Sequence, residues 1–553
     1  MKSLRTPLEQ VQLNVNRHPD QVWLNQPDNR QWTSYTWGEA DEQARRIAQG
    51  LLSNGLSKGD KVAIIAKNSA EWYICDLAIM MAGLISVPIY PTAGAENIQY
   101  VLEHSDAKAI FVGKLDSCAA LSEALSEAVS DDFLSISFPY PTLDCKEQWL
   151  NWLSTYEPLK TLHNPDIDDL FSLIYTSGST GLAKGVMISQ RNVASSAIAA
   201  GEKFLIGKDR RVMSYLPLAH ITERCVVELP SIYRPTEIFF VESLDTFIDD
   251  VRYARPTAFL SVPRLWTKFQ SQILAKMPNE KLQTLLKIPF VGKLVSKKIR
   301  TALGLQEAKI FGSGSAPISP EILKWFHKLG ISISEGWGMT ETSGLSCCNL
   351  PFKLDHIGTI GSPQTCVEMS LSEQGEILIR GEAVFQSYYN NPEATEAAFE
   401  NGWFKTGDKA VVSPDGSWKI IGRLKEQFKT SKGKYVSPVP IESSLGRNPN
   451  IEQVCVMGIG RKQPIAMIVL GEGSSKHRDQ QKKELASTMR SVNDELEAHE
   501  KLDHIIVTKT AWSIENNLLT PTLKLKRDQL EKQYGHFLTL SHRSEVVFEE
   551  EIG

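Results

Sequence analysis

Five short apolar runs constrain the fold more than anything else in the chain: Val62 to Ala66, Val87 to Tyr90, Ala109 to Val112, Phe171 to Tyr175 with the one exception of Ser172, and Val186 to Ile188. Near-continuous apolar runs, rather than alternating ones, belong to strands covered on both faces. Helical patterns lie between them. Thr36 and Glu39 form a capping-box pair, after which Ala40, Ala44, Ile47, Ala48, Leu51 and Leu52 recur at helical spacing until Gly55. A turn at Lys58-Gly59-Asp60 opens the first run, a helix-like segment from Trp72 leads to the second, and Ile98 to Leu102 precedes the third. This alternation predicts an α/β chain with mostly parallel sheets, and 553 residues are too many for one simple core.

The last two runs flank Tyr175 to Gly185, YTSGSTGLAKG. Gly178, Gly181 and Gly185 permit tight backbone and close approach of a ligand, leaving N–H groups free to point inward. Thr176, Ser177, Ser179 and Thr180 add hydroxyls, and Lys184 adds a point charge suited to polyphosphate. Such a strand–loop–strand element reads as a phosphate loop; a solvated surface turn is the other meaning of this composition. It is not the Walker loop. Counting from Gly178, Ala183 stands where the second glycine belongs, and Gly185 where a magnesium-binding Ser or Thr belongs.

A net charge of −5 gives no reason to expect nucleic acid as a partner. The eight cysteines include no C-x-x-C pair, which points away from zinc and disulfide frameworks and toward a reducing, cytosolic setting. No apolar leader follows Met1-Lys2, and Leu77 to Tyr90 is short for a bilayer span and contains Gly83 and Pro88.

The loop YTSGSTGLAKGV resembles the signature of the adenylate-forming superfamily, which includes acyl-CoA synthetases, peptide-synthetase adenylation domains and luciferases of the firefly type. Further stretches agree in order: VPIYPT at Val87 to Thr92, YLPLAHITER at Tyr215 to Arg224, and GSGSAP at Gly312 to Pro317. SEGWGMTET at Ser334 to Thr342, GWFKTGDKA at Gly402 to Ala410, IIGRLKE at Ile420 to Glu426 and LLTPTLKLKR at Leu518 to Arg527 follow. FLSVPRLWTKF at Phe259 to Phe269 resembles the long-chain fatty acyl-CoA synthetase branch. The resemblance implies a large N-terminal domain of α/β subdomains, 1–422, a hinge at 423–426 around Lys425, and a small mobile α+β domain, 427–553.

It also implies residue roles. Lys184 and the loop residues Thr176, Ser177, Gly178, Ser179, Thr180 and Gly181 would hold the β and γ phosphates. Gly314, Ser315 and Ala316 would form an adenine pocket, with Glu335, Gly336, Trp337 and Gly338 walling the nucleotide. Thr340 would touch phosphate and Glu341 bind Mg2+, a hard cation that wants oxygen ligands. Asp408 is expected at a turn before a strand, accepting both ribose hydroxyls, with Arg423 as a second nucleotide contact. His220 would lie near the adenylate and acyl tunnel; a histidine beside Leu, Pro and Ala also reads as a satisfied core residue. Lys524 would meet the carboxylate and α-phosphate. Gly433 would line the pantetheine route, where Lys432 departs from the usual paired glycines.

The implied reaction joins a fatty acid to ATP as acyl-AMP, then transfers the acyl group to CoA. Two alternatives remain at this stage: an acyl-AMP ligase serving a carrier-protein thiol, and a non-catalytic nucleotide- or acyl-binding protein. Residues 268–309 hold eight Lys and one Arg against two Glu. Leu282, Leu285 and Leu286 form one apolar face, and Val291, Leu294, Val295 and Ile299 another, separated by Pro289. They read either as helices packed on the domain with solvated lysines, or as a peripheral contact with an anionic membrane at its inner face.

Overall fold

The structure is a computed structural model, described here for residues 4–128, 132–140, 143–176, 183–448, 450–471, 474, 477–514, 516–520, 524–539 and 544–552. The five apolar runs lie in one seven-stranded sheet, in the order Glu147–Gln148, Leu134–Ser137, Ala107–Val112, Lys61–Ile65, Ile85–Ile89, Leu170–Thr176, Lys184–Ser189. Every neighbouring pair is parallel except the last, where Lys184–Ser189 folds back antiparallel as the edge strand. Both faces are covered, which is why these runs lack alternation. The helix Trp37–Ser53 carries the full Thr36–Glu39 capping box, and Ala40, Ala44, Ile47, Ala48 and Leu51 of its apolar face are buried.

A five-stranded sheet follows, ordered Ala258–Ser261, Ile310–Ser313, Ile333–Met339, Gly344–Cys348, Ser362–Pro363. Its first three strands are parallel and the rest antiparallel. The glycines and hydroxyls of SEGWGMTET suggest a second loop, but most of the segment is strand. Ser334 to Met339 is strand, and only Thr340–Thr342 turns. Its glycines serve strand contact: a Cβ at Gly338 would stand 1.6 Å from the Gly344 carbonyl oxygen, and one at Gly336 2.7 Å from Leu345.

Asp408 also differs from expectation. It lies within the strand Trp403–Val412, opposite Arg423 of Trp418–Arg423, instead of at a turn before a strand. The glycine that suggested a turn, Gly407, takes φ +74° inside the strand, and its N–H is held by the Glu376 carboxylate at 2.8 Å.

Residues from Phe428 onward build two further apolar clusters on the faces of a sheet ordered Ile451–Met457, Ile465–Leu470, Ile505–Val507, Val546–Phe548. Leu485, Met489 and Val492 of the helix Arg478–Asp494 pack into one of them. Among the described residues, three ion pairs link this part to the preceding part of the chain: Arg264 to Glu452 at 2.6 Å, Arg447 to Glu321 at 3.3 Å and Arg527 to the connecting Glu426 at 3.2 Å.

Candidate active site

The phosphate-loop hairpin is closed by the pair Thr176 and Lys184. Ser177, Gly178, Ser179, Thr180 and Gly181 lie outside the described residues. Both flanks of the loop are braced. The Tyr175 hydroxyl lies 2.8 Å from His104 Nδ1, and the Tyr100 hydroxyl donates to the Ala183 carbonyl at 2.9 Å.

The exposed edge of Lys184–Ser189 is covered by the segment from Phe385 to Tyr389. Tyr389 N–H donates to the Gly185 carbonyl at 2.8 Å, Val186 bridges Tyr388, and Phe385 N–H donates to the Glu341 carbonyl at 2.8 Å. Gly185 makes room for its strand partner and for this crossing, because a Cβ there would meet the Tyr175 ring at 3.2 Å and Tyr389 Cβ at 3.4 Å. The same segment brings one side chain to two site residues at once. The Tyr388 hydroxyl donates to Glu341 Oε1 at 2.9 Å, while Lys184 Nζ stands 4.8 Å from the centre of the Tyr388 ring. Tyr388 thus joins the lysine of the first motif to the carboxylate of the second, and sequence reasoning missed it. The one signal for it is a tyrosine pair just ahead of the Asn390-Asn391-Pro392 turn.

Thr340 and Glu341 are both buried. Among the described residues no group of three or more His, Cys, Asp or Glu converges as a metal site. A single carboxylate of this kind suits Mg2+, which takes one or two carboxylates together with substrate phosphates and keeps several waters.

Asp408 is buried and its two oxygens are oriented from opposite sides. Trp337 Nε1 donates to Oδ2 at 2.8 Å and Arg423 Nε to Oδ1 at 2.7 Å. Each oxygen keeps a lone pair for a further donor, so the carboxylate is aimed rather than consumed. Gly314 faces the Gly336 carbonyl, 3.3 Å from where its Cβ would be. Ser315, at φ +67°, and Ala316 are exposed beyond it. Glu335 accepts from Gly358 N–H at 2.7 Å, and burial pushes its carboxyl up to about 8.

Lys524 reaches this group from the C-terminal part of the chain. It sits on a tight return, where Thr520 N–H donates to the Lys524 carbonyl at 2.8 Å and Leu519 bridges Leu525. Its side chain is exposed to solvent, while many protein atoms lie near its ammonium. That enclosure, and then the Arg423 charge, lower its pKa against the opposing pull of Asp408, Glu341 and Glu426. His220 lies within reach of the same charge. Burial first, and Lys524 second, hold its imidazole down at about 3. His220 Nδ1 accepts from Thr222 N–H at 3.2 Å, so a neutral ring carries its proton on Nε2.

Lys425 is exposed on the connection between these parts. Gly433 is not brought to this group by any contact among the described residues. It occupies an exposed turn at φ +77°, where a Cβ would meet only the Lys429 stem.

Behind the site, Arg224 is fully buried with Asp76 at 2.5 Å and Glu228 at 3.1 Å. It also donates to Ser86 and Ser172 of the neighbouring strands Ile85–Ile89 and Leu170–Thr176. The helix after His220 widens to a π-turn at Arg224–Glu228 to accommodate this.

Comparison with known proteins agrees with the fold and with the order of the motifs. The chain matches the AMP-binding enzyme family over residues 11–389, and the AMP-binding enzyme C-terminal domain over 425–539. It is 30% identical to the long-chain-fatty-acid–CoA ligase FadD15 of Mycobacterium bovis, over 94% of each chain. It is 32% identical to fatty acyl-CoA synthetase A of Dictyostelium discoideum, over 91% of this chain and 84% of that one. Among solved structures, the adenylation domain of a Mycobacterium chelonae carboxylate reductase superposes with TM-score 0.81 at 21% identity, over 97% of this chain and 90% of the other. An anthranilate CoA ligase with bound anthranoyl-AMP gives 0.80 at 19% identity, over 97% and 99%. Chain-wide similarity of this kind, over a site in which the separated motifs converge, makes the protein a member of the AMP-binding, adenylate-forming enzyme family.

Proposed function

We propose that the protein is a long-chain fatty acid–CoA ligase that makes acyl-AMP and pyrophosphate from a fatty acid and ATP, then passes the acyl group to CoA. The observation that carries the reading is the convergence of Lys524 with Glu341, Asp408, Arg423 and His220, beside the hairpin that ends at Lys184. The long-chain substrate is supported by the Mycobacterium bovis relative, which is named a long-chain-fatty-acid–CoA ligase, and fatty acids more broadly by the Dictyostelium synthetase.

A carboxylate is a poor acyl donor until its oxygen is joined to a good leaving group, and AMP supplies one. The joining brings two anions together, at a cost of about 4 kcal/mol for unit charges 4 Å apart at a protein-like dielectric. Positioning and charge neutralisation therefore carry the step. In this reading Lys524 neutralises the attacking carboxylate and the α-phosphate. Its lowered pKa marks a cation that gains from any arriving anion. Lys184 holds the departing phosphates, Asp408 and Arg423 fix the ribose, and Glu341, held by Tyr388, offers an oxygen to Mg2+. Bound Mg2+ supplies charge neutralisation on the phosphates. Neutral His220 lends a dipole without adding a charge. Residues 1–422 act as the adenylating body, 423–426 as the hinge around Lys425, and 427–553 as the domain that turns away for thiol transfer. The basic segment 268–309 meets an anionic membrane at its cytoplasmic face, where long-chain acids partition.

The decisive assay is pyrophosphate release across a series of fatty and aromatic acids, with and without CoA. Turnover saturating with long-chain acids and yielding acyl-CoA is expected. Saturation only by short or aromatic acids, or transfer only to a carrier-protein thiol, would overturn the assignment. Lys524→Ala should slow acyl-AMP formation by about 10²–10³, in the range for loss of a transition-state charge partner, and spare thioester formation from supplied acyl-AMP. Equal loss in both half-reactions would remove the role given to it.

A further inference from the structure

The connection 262–309 joins two adjacent parallel strands, Ala258–Ser261 and Ile310–Ser313, and the second of these leads straight to Gly314. Within it, the helices Asn279–Lys287 and Val291–Ala302 form a hairpin. Its base is built into the protein. Leu282 is buried, Leu286, Val295 and Ile299 pack on the same core cluster, and Trp325 Nε1 donates to Asn279 at 3.1 Å. The helices cross closely beside the bend, since a Cβ on Gly292 would stand 2.6 Å from the Leu286 carbonyl oxygen.

The tip is different. Phe290 is 83% exposed, Leu294 68%, Ile288 45% and Val291 38%. Phe290 also takes φ +63° and ψ −44°, a backbone conformation that a bulky residue adopts only under constraint. An aromatic ring held outward in a strained turn satisfies neither packing nor local preference, and such outliers point to function. Lys281, Lys287, Lys293, Lys297 and Lys298 are all exposed around it, and Glu280 is the one acid within the two helices. The apolar residues of the second helix thus divide between two faces. Val295 and Ile299 pack inward as a domain face, whereas Val291 and Leu294 face solvent.

We infer that the hairpin tip at Ile288, Phe290, Val291 and Leu294 is a membrane-insertion element that enters an anionic phospholipid bilayer while the surrounding lysines bind its headgroups. This rests on the membrane contact proposed for segment 268–309 and names the part that enters the lipid. The charge selects the occupant. A patch with five lysines and one acid complements an anionic leaflet, whereas a second copy of the same tip would set lysines against lysines. Exposed apolar residues beside lysines are what interfacial elements bury at the headgroup–acyl boundary. From the tip the chain runs through the helix Val291–Ala302 and the strand Ile310–Ser313 to the Gly314 turn.

The test uses the full chain with vesicles of phosphatidylglycerol and phosphatidylcholine, against phosphatidylcholine alone. Wild-type protein should sediment with the anionic vesicles and remain partly bound at 0.5 M salt. Phe290→Ser/Leu294→Ser should weaken binding at least tenfold and abolish the salt-resistant part, with an unchanged melting temperature and unchanged turnover of a soluble short-chain acid. Replacing Lys287, Lys293 and Lys297 with Gln should remove the preference for the anionic lipid. If the wild type binds and the serine variant binds equally well, tip insertion is wrong while the membrane contact stands. If the wild type binds no vesicles, both fall, and the ligase assignment is still judged by its own assay. A wild-type dimer in light scattering that the serine variant converts to monomer would make a second copy the occupant and overturn the proposal.

Discussion

Tyr388 shows how one side chain can hold two motifs in register. Its hydroxyl fixes one oxygen of Glu341 and its ring face meets the Lys184 ammonium. Tyr388→Phe should keep the ring contact and lose the hydrogen bond. A bond to a charged acceptor contributes about 1.5–3 kcal/mol. The expected result is acyl-AMP formation slowed by roughly ten- to a hundredfold, with a higher Mg2+ requirement. Thioester formation from supplied acyl-AMP, which makes no demand on the phosphate loop, should be unaffected. Isotope exchange between pyrophosphate and ATP, titrated with Mg2+, measures this; an unchanged Mg2+ midpoint would leave Tyr388 with a packing role only. Through their resemblance to the family's motifs the sequence marks Lys184, Glu341 and Asp408 among glycines and hydroxyls, and Lys524 by its register after Thr520-Pro521-Thr522. It does not mark Tyr388, whose two contacts lie 47 and 204 positions away along the chain. Nothing in local pattern carries such a pairing.

At the scale of elements, periodicity and capping are legible and close contact is not. The Thr36 capping box and the helix after it follow from spacing alone. The glycines of Ser334 to Met339 suggest a loop, because a sequence shows that a glycine is present without showing whether it turns the chain or admits a neighbouring strand. The helix after His220 was equally hidden. Its π-turn exists to seat Arg224 against Asp76, 148 positions earlier. Its preceding residue, Glu223, is fully buried, accepts from Tyr215 N–H at 3.1 Å, and is pushed by burial from the usual 4.5 up to about 8. The native state therefore keeps a proton that the unfolded chain has lost between those two values. Fewer protons bound in the unfolded state means that stability falls as pH rises across this window, by at most about 1.4 kcal/mol per pH unit. Glu223→Gln removes that dependence. Its melting temperature, compared with wild type at pH 5, 6.5 and 8, should shift steadily in favour of the variant as pH rises. A constant offset would mean that Glu223 is ionised in the native protein.

Across the whole molecule, the position of Lys524 depends on how the C-terminal part is seated. Among the described residues, Arg264–Glu452 and Arg447–Glu321 are the ion pairs that tie it to residues ahead of the connection 423–426. Both involve exposed groups, so each contributes about 0.2–1 kcal/mol and weakens in salt. That is small enough for release and large enough to bias the pose. Arg264→Ala/Arg447→Ala should slow adenylation by a few-fold to roughly tenfold and leave the thioester half-reaction undiminished. The variant should also lose most of the wild type's sensitivity of adenylation to ionic strength. Parallel loss in both half-reactions would assign the pairs to stability alone. At this scale the sequence shows the order of the motifs, whereas the geometry that brings residue 524 beside residue 341 belongs to tertiary packing.

The antiparallel closure of the phosphate hairpin governs more than the ends of the loop. Because Lys184 is itself a ladder residue opposite Thr176, its direction follows the two-residue repeat of the strand. Adding or removing one residue in the intervening turn, with the register kept, would leave Lys184 aimed as before. Slipping the strand by one position would send it through the sheet, away from Tyr388. The direction of the cation is thus set by the ladder.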